Sequence, residues 1–329
     1  MSGKYVVQPG DVVFSKIRPS LRKAALADFS GTCSADMYPL TPGEEILGRF
    51  LISVILGERF SKYAENLSGR TGIPKVNRGD LAGYSFPLPP IVEQRRIVEV
   101  LDAVSEQERS IEASIAKLGA AKAGAIEGLL DALDWDRTLG DVVDDGIRNG
   151  FSPVESETWT GIQMLGLGCL TPVGFEPVQL KNAPPSVTAH HPAVLREGDL
   201  LMSRANTRDL VGLAGVYRGV GTPCIYPDLM MRIGTSGRYS ADFLSVVLMS
   251  MRTRRYVRSM AQGTSESMVK ISAKSVRGIP VPLPTPEEQA QVLAVVASFS
   301  QQVGAETEEL AKLRSIKRGI ANSLLAFPC

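Results

Sequence analysis

Apolar residues recur at alternating intervals of four and three positions along two stretches of the chain, residues 91–134 and 285–329. This spacing keeps one seam on a single side of an α-helix and is typical of helices that pair with each other. The pattern therefore predicts two long helices that form a coiled coil. The seam positions are Ile97, Leu101, Val104, Glu108, Ile111, Ile115, Leu118, Lys122, Ala125 and Leu129, and then Val292, Val296, Phe299, Val303, Glu306, Leu310, Leu313, Lys317, Ile320 and Leu324.

The two stretches are copies of one unit, and a repeat of this kind decides how the fold is interpreted. Gln94 and Gln289 stand 195 residues apart, and six of thirteen positions are identical between residues 82–94 and 277–289. We expect the two helices to pair antiparallel, with one globular domain at each end, because two copies related by a two-fold axis would meet in that way.

The two helices begin with different residues at the capping position. Thr285 can cap the second helix, with Pro286 as its first residue and Glu288 as its third, which together form a capping box. Pro90 stands in the first copy where the hydroxyl of Thr285 would be needed. We therefore expect the first helix to start more weakly or at a shifted position.

Each globular region mixes predicted strands, helices and exposed loops. A Gly-Asp turn leads into apolar residues at 10–18 and at 198–204, which is typical of a strand. Apolar periodicity predicts one helix over residues 50–63 and its copy over 243–256. The expected fold class is α+β, with two globular domains separated by the antiparallel coiled coil. The predicted domains are residues 1–90, 91–134, 135–284 and 285–329.

The first globular domain is predicted to be incomplete. The second domain begins near Trp135 and runs about 60 residues before its Gly-Asp turn, whereas only nine residues precede Gly10 in the first. The first copy therefore lacks most of the segment equivalent to residues 137–190. We expect another chain to complete it, either a small polypeptide or a second copy of this protein.

Composition excludes several classes of protein. The chain has 44% hydrophobic and 22% charged residues, which is ordinary for a soluble protein. Its four cysteines are far apart and its two histidines are adjacent, so neither a structural zinc site nor a disulfide framework is expected. No apolar run is long enough to span a bilayer, and the cytoplasm is the expected compartment. The sequence shows no phosphate-binding loop and no methyltransferase motif, so we expect no cofactor, no metal and no catalysis.

The motifs of both copies resemble the specificity subunit of type I restriction–modification systems. The resemblance covers nearly the whole chain. It rests on Pro-Leu-Pro followed by Glu-Gln at residues 87–97 and 282–289, on Trp135 followed by residues 139–142 (Leu-Gly-Asp-Val), on residues 149–153 (Asn-Gly-Phe-Ser-Pro), and on the Gly-Asp strand starts at 10–16 and 198–204.

This resemblance implies a protein without catalysis of its own. In the family, two target recognition domains each read half of a split DNA site, and two helices form an antiparallel coiled coil that sets the distance between them. Methyltransferase (modification) subunits dock on the coiled coil, and a restriction subunit, a translocase–nuclease, joins them in phage defence. The missing part of the first recognition domain departs from this pattern and puts recognition of a two-part site by one chain in doubt.

Candidate DNA-binding residues cluster after the Gly-Asp strand and in a Gly-rich loop of each copy. Cations bind phosphates, while Arg and Asn can read guanine and adenine through paired hydrogen bonds. Glycine allows a backbone to approach a ligand closely. The alternative is a set of solvated loops with balanced charge. The predicted residues are Lys16, Arg18, Arg22, Lys23, Arg70, Thr71 and Lys75, and then Ser203, Arg204, Asn206, Thr207, Arg208, Thr264, Ser265 and Lys270.

Two hypotheses from different classes follow. In the first, the chain reads double-stranded DNA and directs methyltransferase subunits, with or without a nuclease partner. In the second, the coiled coil is an assembly scaffold for partner chains that no longer reads DNA on its own. A basic stretch at residues 252–258 is compatible with phosphate contact or with a solvated helix face.

Overall fold

A computed structural model of the protein divides into two compact units. One unit comprises residues 1–117 with 303–329, and the other comprises residues 118–302. Each unit therefore contains one globular region together with part of each long helix. The structure describes residues 4–67, 74–143, 146–235, 237–263 and 268–324.

The first unit is built from short antiparallel strands covered by helices. Its elements are β1 (Tyr5–Val7), β2 (Val12–Ser15), β3 (Ala24–Leu26), β4 (Gly31–Cys33), β5 (Met37–Leu40), α1 (Gly48–Leu56), α2 (Glu58–Leu67), α3 (Arg78–Ala82) and the first part of α4 (Ile91–Asp131). β2 lies between β3 and β5, and β1 pairs with β4. In the core, the buried rings of Phe14 and Phe60 meet edge to face, with their centroids 5.3 Å apart.

The second unit contains more strands around the same central arrangement. Its elements are the last part of α4, β6 (Arg137–Thr138), α5 (Leu139–Val142), β7 (Ile147–Asn149), β8 (Gln163–Leu165), β9 (Leu170–Thr171), β10 (Gly174–Phe175), β11 (Leu180–Asn182), β12 (Leu200–Ser203), β13 (Ala205–Asn206), β14 (Ala214–Val216), β15 (Cys224–Ile225), β16 (Met230–Ile233), α6 (Ala241–Met249), α7 (Met251–Met260), β17 (Val269–Lys270), α8 (Ala273–Arg277), β18 (Pro280–Val281) and the first part of α9 (Pro286–Leu324). Its largest sheet has the order β14-β12-β16-β7, and a second sheet has the order β11-β8-β15.

The two units share one strand arrangement with the same register. Val12 of β2 lies opposite Leu26 of β3 and Leu40 of β5. In the second unit, Leu200 of β12 lies in the same way between β14 and β16, opposite Val216 and Ile233. The duplication seen in the sequence is therefore a duplication of the fold, and the predicted α+β class is confirmed.

The units differ at the outer edge of this sheet. In the second unit, β16 pairs on its far side with β7, whereas β5 has no strand on that side among the described residues. Likewise β15 pairs with β8, but its counterpart β4 pairs only with β1 among the described residues. Both additional strands come from the stretch 137–190, for which the sequence of the first copy offers no equivalent.

The prediction of a single helix over residues 50–63, and of its copy over 243–256, is wrong. Each forms two helices, α1 with α2 and α6 with α7, which meet at Gly57 and at Ser250. Both residues have extended backbone, with ψ of 157° and 154°. The Ser250 hydroxyl accepts a hydrogen bond from the N–H of Thr253 and so caps the second helix of its pair. Apolar periodicity continues across this break, which is why it predicted one helix.

The long helices pair antiparallel, as predicted. In the first unit, Lys317 Nζ lies 2.6 Å from Glu108 Oε2, and Ser114 Oγ lies 2.8 Å from Glu306 Oε1. As residue numbers rise along α4, those of the partners on α9 fall. Within the second unit, Lys122 Nζ lies 3.0 Å from Ser300 Oγ.

Two of the charged seam positions, Glu108 and Lys317, face each other. The side chains of Glu108 and Lys317 are only 14% and 32% exposed. A half-buried ion pair of this kind contributes little net stability, since desolvation offsets the attraction. It does favour one register, because a shift of one helix would place each charge against apolar neighbours.

A buried glutamine joins each globular region to its long helix. In the first unit, the Gln94 side chain accepts a hydrogen bond from the N–H of Leu47 and donates to the carbonyls of Glu45 and Pro89, all at 2.8 Å. Gln94 is fully buried. One amide therefore satisfies three backbone groups that would otherwise lie unpaired in the interior.

Gln289 makes the equivalent connection in the second unit. Its side chain accepts from the N–H of Ser240 at 3.1 Å and donates to the carbonyl of Arg238 at 2.9 Å. Leu47 and Ser240 are the residues that precede α1 and α6. The Glu-Gln motif thus fixes the start of a domain helix against the start of a long helix.

The two long helices start at equivalent positions. The capping box of the second is confirmed, since the N–H of Thr285 donates to the Glu288 carboxylate and the N–H of Glu288 donates to the Thr285 hydroxyl. The first helix begins at Ile91, 195 residues before Pro286, so the expected shift is wrong. The hydrogen bonds of Gln94 hold this start without a capping hydroxyl.

Replacing Gln289 with leucine is expected to lower the free energy of unfolding of the second unit by about 2 kcal/mol, because two buried backbone groups lose their partner. Both tryptophans, Trp135 and Trp159, lie in this unit, so tryptophan fluorescence during urea titration follows its unfolding. With a urea dependence of about 2 kcal/mol per molar, the midpoint should fall by about 1 M. Gln291→Leu, at an exposed position of the same helix, is the matched control and should leave the midpoint unchanged. Equal midpoints for the two variants would contradict this role of Gln289.

Candidate nucleic-acid interface

The strand end and the Gly-rich loop, predicted separately, meet in both units. In the second unit, β13 pairs with β17, and Ala205 lies opposite Lys270. In the first unit, Ile17 lies opposite Lys75 in an isolated bridge. Lys75 and Lys270 are both exposed. The same surface, a strand end beside a short second strand that carries a lysine, is therefore built twice.

Lys16 and Arg204 begin this surface but are engaged by the protein itself. Lys16 Nζ donates to the carbonyl of Ala35 at 2.6 Å, and Arg204 Nη1 donates to the carbonyl of Asp228 at 3.3 Å. The two carbonyls lie at equivalent points of the two units, just before β5 and β16. These contacts tie each strand end to the neighbouring turn. Each of the two cations therefore has a hydrogen-bond partner within the protein itself.

Ser203 is not part of the exposed surface. Its side chain is fully buried in β12, and its hydroxyl has no hydrogen-bond partner within the described part of the chain. Met202, which points to the other face of the strand, is also fully buried, so this part of β12 is enclosed on both sides. We therefore correct the prediction and leave Ser203 out of the interface.

The loop after the strand in the first unit holds two arginines in the left-handed region. Arg18 has φ of 50° and Arg22 has φ of 46°, on either side of a short 3-10 turn at Pro19–Leu21. This conformation costs a non-glycine residue roughly 1–2 kcal/mol, and such strain concentrates at binding sites. Arg18, Arg22 and Lys23 are all exposed, so the loop presents three cations to solvent.

The matching loop of the second unit carries the polar residues Asn206, Thr207 and Arg208. The Asn206 side-chain oxygen accepts a hydrogen bond from the N–H of Thr207 at 2.8 Å. Arg208 Nη1 donates to the carbonyl of Arg258 at 3.2 Å. Thr207 is exposed, and Asn206 and Arg208 are half-buried.

Four of the predicted residues, Arg70, Thr71, Thr264 and Ser265, lie outside the described residues. Where the structure does describe the chain, no group of three or more His, Cys, Asp or Glu side chains could hold a metal ion. None of the helices in that part is long and apolar enough to cross a membrane.

Comparison with known proteins finds similar sequences and a matching family model for this chain. The family described as Type I restriction modification DNA specificity domain matches residues 2–119. The EcoDI specificity subunit of Escherichia coli is 38% identical over 35% of this chain and 25% of its own length. The MjaVIII specificity subunit of Methanocaldococcus jannaschii is 26% identical over 90% of this chain and 73% of its own length. The chain is therefore similar to type I restriction specificity subunits, and the matched family model covers its first 119 residues.

One solved structure resembles this chain at the level of the fold. It comes from a study of complex assembly and conformational transition of the type I R-M system, and it matches 97% of this chain and 82% of its own. The TM-score is 0.62 at 22% sequence identity. The fold of this chain is therefore shared with that structure.

Arg254, which the sequence showed only as part of a basic stretch, supports the loop that follows β13. Arg254 is only 8% exposed and donates to the carbonyls of Val211 at 2.6 Å and Asp209 at 2.7 Å. Burial lowers the pKa of Arg254 to about 10. The sequence signal was the basic stretch 252–258, whose members separate in the structure, since Arg252 instead lies over the Trp135 ring at 4.3 Å.

A second basic region lies at the opposite end of β12 in the second unit. A pocket of about 590 Å³ there is lined by Arg148, Arg196 and Arg232. Arg148 and Arg232 stand directly opposite each other on β7 and β16, an unfavourable pairing of like charges. Asp199 lies 3.3 Å from Arg232 and offsets part of this charge.

Arg254→Ala is expected to destabilise the second unit by about 2–4 kcal/mol, because the carbonyls of Val211 and Asp209 lose their charged donor. Amide hydrogen exchange over residues 207–211 should accelerate along with this loss. Arg255→Ala removes an exposed charge from the same helix and should change neither measurement. Wild-type exchange rates in the Arg254 variant would show that the arginine does not hold the loop.

Proposed function

We propose that this chain is the non-catalytic DNA-sequence-specificity subunit of a type I restriction–modification complex in the cytoplasm. It recognises a DNA target and positions methyltransferase subunits, with or without a restriction subunit. One observation carries the proposal: the same exposed strand end, with a lysine on the paired strand, is built once in each unit. Two copies of one surface suit a DNA site with two parts.

The side chains on this surface have the chemistry that duplex DNA requires. Lys75 and Lys270 are exposed cations on the short second strand, and they suit phosphate contacts. Arg18 and Asn206 occupy the same place in the two copies, and both types form paired hydrogen bonds with base edges in the major groove. The different residues at this equivalent position would give the two halves different targets.

The long helices supply the docking surface for methyltransferase subunits in this proposal. Their seam residues pair with each other, which leaves charged residues such as Glu106 and Arg109 on the outer face. The scaffold hypothesis shares this role of the helices and differs only in lacking DNA recognition. The choice between the two therefore depends on the repeated surface.

Substitution of Lys270 by alanine is expected to weaken DNA binding by the complex with its methyltransferase subunits. Each lost phosphate contact should reduce the slope of log affinity against log salt by about 0.9. Lys75→Ala should have the same effect, because it occupies the same place in the first unit. Lys181→Ala removes an exposed cation from β11, outside both the repeated surface and the long helices, and is the matched control.

Methylation sequencing tests the readout of bases separately. Asn206→Ala should relax the methylated motif at one position of one half-site, while the other half keeps its sequence. A methylation profile and a salt dependence that stay the same in all these variants would reject DNA recognition and favour the scaffold.

A further inference from the structure

The first unit contains an open apolar cavity of about 560 Å³ beside the unpaired edge of β5. It is bounded by β5, α1, α3 and the chain after α3. Its lining includes Leu40, Leu51, Ile55, Tyr84 and Phe86. Tyr84 and Phe86 follow α3 and pack against core residues, yet both are only half-buried.

The equivalent space in the second unit is filled by the chain itself. Leu139 and Val142 of α5 are 0% and 7% exposed and belong to the same core cluster as Ile233 and Leu244. Ile279, the counterpart of Tyr84, is fully buried there. The second unit therefore shows which kind of segment covers a surface of this shape.

A backbone ladder holds that segment in place. β6 pairs with β18, the N–H of Leu139 donates to the carbonyl of Ile279 at 2.7 Å, and the N–H of Leu283 donates to the carbonyl of Asp134 at 2.8 Å. The counterparts of residues 279–283 are residues 84–88 of the first unit. No described residue pairs with them as a strand, and Leu88 is 46% exposed.

We propose that the cavity of the first unit is a docking site for a polypeptide segment with the chemistry of residues 137–142. Such a segment would run as a strand along residues 84–88 and then make one helical turn. Two apolar side chains, placed as Leu139 and Val142 are, would enter the cavity between Leu51 and Tyr84. This site belongs to protein assembly and goes beyond the recognition of DNA.

Pro39 limits which part of the segment can dock. In the second unit, Arg232 of β16 lies opposite Arg148 of β7, and the carbonyl of Met230 and the N–H of Gly234 also point toward that side. Pro39 holds the place of Arg232 in β5 and has no N–H to donate. Proline is tolerated on an edge strand and disfavoured in a paired one. Docking is therefore carried by the equivalents of β6 and α5, without a complete strand in the place of β7.

A synthetic peptide with the sequence of residues 134–150 tests this site on the full-length chain. Amide hydrogen exchange would be measured with and without the peptide. At a peptide concentration about ten times its dissociation constant, exchange of the Leu88 amide should slow about tenfold. Exchange of the Leu283 amide should not change, because its site is already covered. A control peptide with Leu139→Asp and Val142→Asp should have no effect, and its failure could not result from misfolding of the protein.

A covalent version removes the question of affinity. Residues 135–150 would be appended after Cys329, because the 195-residue offset makes Cys329 the counterpart of Asp134. The linked segment should protect the Leu88 amide, and the doubly substituted segment should not. The proposal would be overturned if neither the peptide nor the linked segment slowed exchange of the Leu88 amide. It would also be overturned if the doubly substituted peptide and the doubly substituted linked segment slowed this exchange equally well. Neither measurement contains DNA, so such a failure would leave DNA recognition standing.

Discussion

The fold depends on how each globular region is fixed to its long helix, and a buried glutamine provides that connection. Gln94 satisfies backbone groups of two separate segments, at Glu45 and Leu47 and at Pro89, and Gln289 satisfies two groups of one segment, at Arg238 and Ser240. A leucine of similar size would fill the same volume but leave those groups unpaired, at about 1–3 kcal/mol for each group. These hydrogen bonds add to an apolar contact between each domain helix and its long helix. Phe50 of α1 shares a core cluster with Ile97 of α4, and Phe243 of α6 shares one with Val292 of α9.

The two units share one strand arrangement but differ in their cores. In the second unit, residues 137–190 add strands beside β16 and β15 and create a second core cluster around Leu165 and Tyr226. The first unit has the frame and the candidate interface without this addition among its described residues, so apolar side chains such as Val6 and Met37 are 64% and 37% exposed. Because both units share one frame, the packing of the second unit shows which kind of segment can cover the exposed apolar surface of the first.

The candidate interface shows how far residue types can be interpreted before the fold is known. Basic residues after the Gly-Asp strand were predicted as one group, and they separate into two. Lys16 and Arg204 hold neighbouring carbonyls, while Arg18, Arg22 and Lys23 reach solvent. Arg254 was hidden within a basic stretch, because its role depends on carbonyls more than forty residues away. No local pattern distinguishes a buried arginine of this kind from an exposed one.

The sequence by itself determined the long helices, their antiparallel pairing and the duplicated α+β frame, because alternating spacing and a constant offset of 195 residues are local, repeated signals. The tertiary structure decided the rest. It broke the predicted domain helix at Gly57, kept the first long helix in place without a capping residue, buried Ser203, and brought Lys75 and Lys270 to the strand ends. Each of these outcomes depends on which distant backbone groups need a partner once the core has closed, and residue order alone does not carry that information.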